Sequence, residues 1–283
     1  MLSSGKMMKN RLFKVKLKES DNAVAGIVVT VLLIGLMLSV MVMINTMYVP
    51  QWLENSEASH MKETSNQFTQ LKYALDIQTL INDSTAMTTP ITLGTKDIPF
   101  LNRGRTFDTL EIINDAITID FTPGGSYTSD VIKFSSGNSY FVDQSYIYEA
   151  GALIISQDEK SVLYGSPPIV VTEYGVNFTF YITEIDGLAG KTDASGYGTY
   201  PIFTRARNPT NEIIINNVTQ ITISTEYPNA WKTIFEQTIE DYGFDCDISP
   251  SNNEVTLTFN NAYNNCSINN KEIDTQIAFG LAE

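Results

Sequence analysis

The chain predicts an α+β protein: a long N-terminal helix, transmembrane in its first part and amphipathic in its second, followed by a β-rich, mostly antiparallel extracellular head with one short amphipathic helix. Three observations carry that prediction. An uncharged apolar run fills Ala23 to Ile44. A polar stretch with an apolar stripe and neither glycine nor proline runs from Gln51 to Asp83. From about Thr89, short β-branched runs alternate with Gly, Asn, Pro and Ser clusters. The segments implied are a cytoplasmic basic leader (1–22), a transmembrane helix (23–47), an amphipathic stalk helix (48–83) and a β-rich extracellular domain (84–283).

The apolar run comes first. Its 22 residues rise about 33 Å as a helix, enough to cross a hydrocarbon core of about 30 Å. A secretory h-region spans only about 7–15 residues and ends at a small-residue cleavage site. Here the run continues through Met41, Val42, Met43 and Ile44, and no A-x-A pattern follows in "NTMYVPQW". A helix buried in a soluble core shows a polar face, whereas this run has no polar side chain larger than serine or threonine. It reads as a retained single-pass membrane anchor. Lys6, Lys9, Arg11, Lys14, Lys16 and Lys18 precede it, against Glu19 and Asp21. Residues 45–283 hold 12 basic and 30 acidic residues. The positive-inside rule then keeps the N-terminus in the cytoplasm and puts the C-terminal domain outside, with Tyr48 and Trp52 at the outer interface. A net charge of −14 gives an acidic, solvated exterior, which excludes nucleic acid as a partner and leaves membrane lipid and other surface proteins.

The stalk follows. Met61, Phe68 and Leu75 stand seven apart, with Thr64 and Leu71 at the intermediate steps, so one apolar stripe runs along a polar helix. Pro50 is expected to kink or interrupt the helix at the junction. Two heptads are too few to favour an independent coiled coil, so Met61, Phe68, Leu71 and Leu75 are expected to pack on the head. The sole histidine, His60, reads as a solvated helix residue away from the head.

In the head, the strand-like runs are "DTLEII", "AITIDF", "DVIKFS", "PPIVVT", "NFTFYIT", "NEIIINNVTQITIST", "EVTLTF" and "DTQIAF". "NAWKTIFEQTIEDYGF" interrupts them with an amphipathic helix that places Trp231, Ile234, Phe235 and Ile239 on one face, Asn229 as its cap and Gly243 as its end. Cys246 and Cys266 flank a turn, the strand Glu254 to Phe259 and another turn. In an oxidising exterior they predict a disulfide stapling neighbouring strands. The triplets at Asn82, Asn177, Asn217 and Asn265 are candidate N-glycosylation acceptors, and Asn208 is blocked by Pro209. Asn177 and Asn217 fall in strand-like runs and need to point outward to be used.

Signals for chemistry are weak. With one histidine on the stalk, a Ser–His–Asp or Cys–His arrangement and a multi-histidine metal site are not expected in the head. "DGLAGKTD" has Gly190, Lys191 and Thr192 in the order of a phosphate loop, but Ile185 stands where its first glycine belongs, and no helix pattern follows. Asp241, Asp245 and Asp247 lack the spacing and glycine of a calcium loop. No spacing selects a catalytic carboxylate pair. No cofactor, metal or catalytic residue is expected, and the protein is not read as an enzyme.

The leader, the run "DNAVAGIVVTVLLIGL" and its amphipathic continuation onto a β head resemble archaeal type IV pilin-like proteins. The head, through "SYIYEAGALIISQ", "GSPPIVV", "NFTFYITEIDG" and "TEYPNAWKTIFE", resembles a group of archaeal membrane-anchored proteins of unassigned function. The first resemblance implies leader processing and bundling of the apolar helices into a filament. The junction "KLKESDNAVAG" departs from a processing site with a small residue after a basic one, and the early glutamate of bacterial pilins is missing. Cleavage near Asn22–Ala23 and retention of the whole leader both stay open. The function expected is a membrane-anchored structural surface protein, pilin-like in one form, self-associating or contacting other pilin-like or surface-layer proteins. An extracellular binding module for a glycan, a surface-layer protein or another cell is the alternative, and an envelope hydrolase using carboxylates ranks behind both.

Overall fold

A computed structural model describes residues 18–80, 84–95, 105–158, 160–188, 190–207, 211–261 and 264–277. Residues 1–17 of the leader and the acceptor Asn82 lie outside the described residues. The chain divides into two compact units, one ending at Trp52 and one beginning at Leu53.

In the first unit, helix α1 (Lys18–Met43) starts five residues before the apolar run. Every side chain from Val24 to Tyr48 is exposed. The few polar ones fold back onto the helix: Thr30 Oγ1 donates to the Gly26 carbonyl, Ser39 Oγ to Leu36, Asn45 Nδ2 to Met41 and Thr46 Oγ1 to Val42, all within 2.9 Å. Their hydrogen-bonding capacity is thereby met without water, as an apolar solvent requires. Pro50 does not interrupt the helix. Ile44–Tyr48 widens into a π turn, in which the Val49 N–H reaches back to the Ile44 carbonyl. The extra residue accommodates a proline that cannot donate and whose ring would strike the carbonyl of the preceding turn. Helix α2 (Val49–Leu80) follows directly.

The second unit holds α2 from Leu53 onward and fifteen described strands. These are β1 (Met87–Leu93), β2 (Asp108–Thr122), β3 (Ser126–Ser135), β4 (Ser145–Glu149), β5 (Ala152–Gln157), β6 (Lys160–Gly165), β7 (Ile169–Glu173) and β8 (Asn177–Gly187). Then come β9 (Asp193–Gly196), β10 (Gly198–Ala206), β11 (Asn211–Ile215), β12 (Gln220–Ser224), β13 (Cys246–Pro250), β14 (Glu254–Phe259) and β15 (Asn265–Ile277). The main path runs β1-β10-β15-β8-β3-β2-β12-β14-β13. Among the described strands only β15 and β8 pair in parallel, and β3 joins β8 through the bridge Asp130↔Ile185. The hairpin series β4, β5, β6 extends from β3, while β7, β9 and β11 attach to β8, β2 and β15.

Two of the expected runs, "DTLEII" and "AITIDF", form the single strand β2. A register shift between Ile113 and Ile117 separates them. Asp115 there takes φ 50°, and its N–H donates to Asp130 Oδ1 at 2.9 Å. Conversely, "NEIIINNVTQITIST" divides into β11 and β12 around a bend at Asn216 and Asn217.

Helix α3 (Pro228–Thr238) begins one residue before Asn229. Tyr227 is its N-cap, and no side chain caps it. Pro228 starts the helix because its fixed φ suits the first turn and its missing N–H is one that would find no partner there. Gly243, at φ 81°, ends the 3₁₀ turn that follows, Glu240–Tyr242.

The alternating burial of the strands feeds two apolar clusters. One gathers Met61, Phe68, Leu71 and Leu75 of α2 with Leu110, Ile132, Phe134, Tyr146 and Ile202. The other surrounds α3, with Trp231 and Phe235 among Phe121, Phe178, Phe180, Ile223 and Leu257.

Candidate functional site

The buried face of α2 carries polar side chains beside its apolar stripe, and several of them fasten different parts of the head. The Glu57 carboxylate accepts the backbone N–H groups of Ser139, Tyr140 and Phe141, the last at 2.6 Å. One turn on, His60 Nε2 meets Asp108 Oδ2 at 2.6 Å. Asp108, wholly buried, also accepts the N–H of Gly94 at 2.6 Å and of Gly137 at 3.0 Å. This one carboxylate therefore ties α2 to the end of β1, the start of β2 and the loop after β3. His60 is not the solvated residue that its polar helix suggested: it is 6% exposed, with the Phe134 ring 6.3 Å away.

Further along α2, Gln67 supplies both halves of an amide to the open edge of β1. Its Oε1 accepts the Thr92 N–H at 2.8 Å, and its Nε2 donates to Thr92 Oγ1 at 3.0 Å. An unpaired strand edge is thereby covered by a helix side chain. Gln78 Nε2 donates to the Thr204 carbonyl, Thr79 shares a 2.8 Å hydroxyl contact with Thr183, and Lys72 Nζ bridges Asp76 and the Gly151 carbonyl at 2.8 Å each. Burial outweighs the neighbouring Lys72 ammonium and pushes the Asp76 carboxyl up from its ordinary value. The stripe itself is sealed. Phe68, Leu71 and Leu75 have no exposed surface and Met61 2%, and the Phe68 ring stacks on Tyr146 at 5.7 Å and meets Phe134 edge-on at 6.2 Å.

A second polar feature lies where β12 turns into α3. Glu226, exposed, lines three adjoining hollows. The largest, about 420 Å³, is bounded by Ser156, Ser161, Glu226, Tyr227, Pro228, Asn229, Ser251 and Asn252. A smaller one of about 30 Å³, room for one water, reaches inward to Lys133 and Glu149. Glu149 is 1% exposed, and its Oε1 accepts from Trp231 Nε1 at 2.6 Å and Thr225 Oγ1 at 2.9 Å. Loss of water raises its carboxyl to about 7 despite these two donors. Burial, reinforced by Glu226, pushes the Tyr227 hydroxyl above its usual range. The groove offers hydroxyls, amides, a carboxylate and an aromatic ring to a polar ligand. Among the described residues no group of three or more His, Cys, Asp or Glu could hold a metal ion.

Residues 22–275 match a family described as one of unknown function, DUF7289. The chain belongs to DUF7289. The matched span takes in the apolar helix, α2 and nearly all of the described head, so the family is defined over the apolar helix and the sheet together. No curated protein and no solved structure matches the chain.

In this DUF7289 protein the two cysteines are free thiols, and the expected disulfide is not formed. Cys246 lies on β13, opposite Phe259 of β14. Cys266 lies on β15, between Phe178 of β8 and Ile215 of β11. The expectation assumed that the segments flanking Glu254–Phe259 are neighbours of that strand. β13 is, but β15 leaves it to pair with β8, β10 and β11. Burial raises both thiols, Cys246 to about 11 and Cys266 further, so neither is poised as a nucleophile. Of the acceptor asparagines, Asn217 is exposed in the bend before β12 rather than within a strand, and Asn177 and Asn265 are half-buried at the starts of β8 and β15. Sequence reasoning missed Glu57, Asp108 and Glu149. At Glu149 the available signal was a lone carboxylate in the apolar run "YIYEAGALII".

Proposed function

We propose that the protein is a membrane-anchored surface protein whose N-terminal helix spans the bilayer once, with the N-terminus cytoplasmic and the acidic head outside. A single observation carries the reading. From Val24 to Tyr48 the helix presents only exposed side chains, among them Leu32 at 67%, Leu36 at 66% and Met37 at 67% exposure. Each large apolar side chain left in water forgoes about 1.5–3 kcal/mol, so a run of this length needs an apolar solvent. The charge asymmetry of the flanks supports the orientation. The polar side chains of the buried α2 face support a structural role, because they turn the helix after Trp52 into a rigid part of the head rather than a free tether. A subunit of a pilin-like assembly is the specific form, with membrane lipid and further copies or surface-layer proteins as partners.

The polar groove at Glu226 and Tyr227 favours a second reading, an extracellular binding module for a glycan or a surface partner. Fractionation with protease added to intact cells tests the first proposal. The protein is expected in the membrane fraction with its head removed by protease. A head digested only in inverted vesicles refutes the orientation. Mass spectrometry of the mature N-terminus then separates a pilin-like start near Ala23 from a retained leader.

A further inference from the structure

Three of the acceptor triplets, 40 or more residues apart in the chain, meet at one end of the sheet. Asn177 opens β8 and Asn265 opens β15, and the parallel register sets them side by side. Asn265 Nδ2 donates to Asn177 Oδ1 at 3.0 Å, and Asn177 Nδ2 donates to Glu173 Oε2 at 2.6 Å. Asn265 Oδ1 accepts the backbone N–H of Asn217 at 3.2 Å. The carboxamides of Asn177 and Asn265 are thus engaged in holding strand starts together. Asn217 differs. It enters the cluster through its backbone N–H, its side chain is exposed, and its φ of 57° is in the left-handed region that asparagine tolerates in bends. Its carboxamide makes no hydrogen bond among the described residues.

We infer that Asn217 is the residue of this cluster that carries an N-linked glycan in the mature protein, an inference that rests on the extracytoplasmic placement of the head proposed above. The co-substrate is a lipid-linked glycosyl phosphate. Asn217 Nδ2 attacks the anomeric carbon, and a C–N bond forms as the anomeric C–O bond breaks. The electron pair leaves with the phosphate, and the amide releases one proton. Thr219 Oγ1 donates to the Thr122 carbonyl at 2.9 Å in the folded head. Transfer therefore precedes closure of the β2–β12 ladder, and folding then leaves the sugar in solvent. A sugar on Asn177 or Asn265 instead stands between paired strands and displaces the amide bonds there, so those glycoforms do not persist in folded protein.

The test is glycopeptide mapping of the full chain purified from its own membranes, with protease shaving of the same cells. A glycan on the Asn217 peptide, and none on the Asn177 or Asn265 peptides, is expected. Asn217→Gln and Asn217→Gly, the second free of strain at positive φ, should each lose the mass of one glycan. A shaved head with Asn217 unmodified, or with a glycan on Asn177 or Asn265, overturns the assignment while the topology stands. A head protected from protease overturns the topology and the assignment with it.

Discussion

Replacing Phe68 with alanine tests whether α2 is a fold-bearing part of the head. The ring has no exposed surface and is held between Phe134 and Tyr146 at centroid distances of 6.2 and 5.7 Å. Truncation loses the transfer free energy of the ring and leaves a cavity lined by rigid aromatic and strand residues, which costs about 3–5 kcal/mol. Each kilocalorie lowers the melting temperature of a domain of 150–250 residues by about 2–4 °C, so the head should melt about 6–20 °C earlier. The assay is near-ultraviolet circular dichroism of the full chain in detergent micelles, where the head aromatics report tertiary packing. Tyr73→Ala, at a position on the same helix that is 69% exposed, serves as the control and should shift the melt little. If Phe68→Ala and Leu75→Ala both melt with the wild type, the helix does not support the sheet and the packing argument fails. A loss of self-association at unchanged melting temperature would instead mark the stripe as an assembly surface.

Asp108→Ala removes the acceptor of His60 and of two backbone N–H groups at once, and should cost about 3–5 kcal/mol. Hydrogen exchange should accelerate at Gly94 and Gly137 before the rest of the sheet. Glu149 binds its proton more tightly in the folded head (about 7) than at its ordinary value of 4.5. Its contribution is therefore fully present below about pH 4.5 and is lost as pH rises to about 7, on the order of 3 kcal/mol. Glu149→Gln should flatten that part of the stability–pH curve, and an unchanged slope would refute the assignment. Without reductant, alkylation in denaturant should label both Cys246 and Cys266, and recovery of a linked peptide pair would contradict the free-thiol structure.

The sequence by itself determined what depends on local periodicity. An unbroken apolar run makes a helix long and apolar enough to cross a membrane. The seven-residue spacing of Met61, Phe68 and Leu75 defines one face of the next helix, and the alternation in runs such as "EVTLTF" defines strands with one buried side. These are properties of neighbours in the chain, set by 3.6-residue and 2-residue repeats. Which strand lies beside which is a choice among distant segments, and only the tertiary structure made it. The two flanks of Glu254–Phe259 look alike in sequence, yet β13 stays with β14 while β15 crosses to pair in parallel with β8. That crossing parts the two cysteines and brings Asn177, Asn217 and Asn265 together. His60 shows the same limit. Its helix is polar enough to predict solvent, and it is buried because Asp108, 48 residues later, offers a carboxylate where the helix meets the sheet. A polar side chain goes inside when a partner waits there, and that partner is fixed by how the strands are ordered, not by the residues around it.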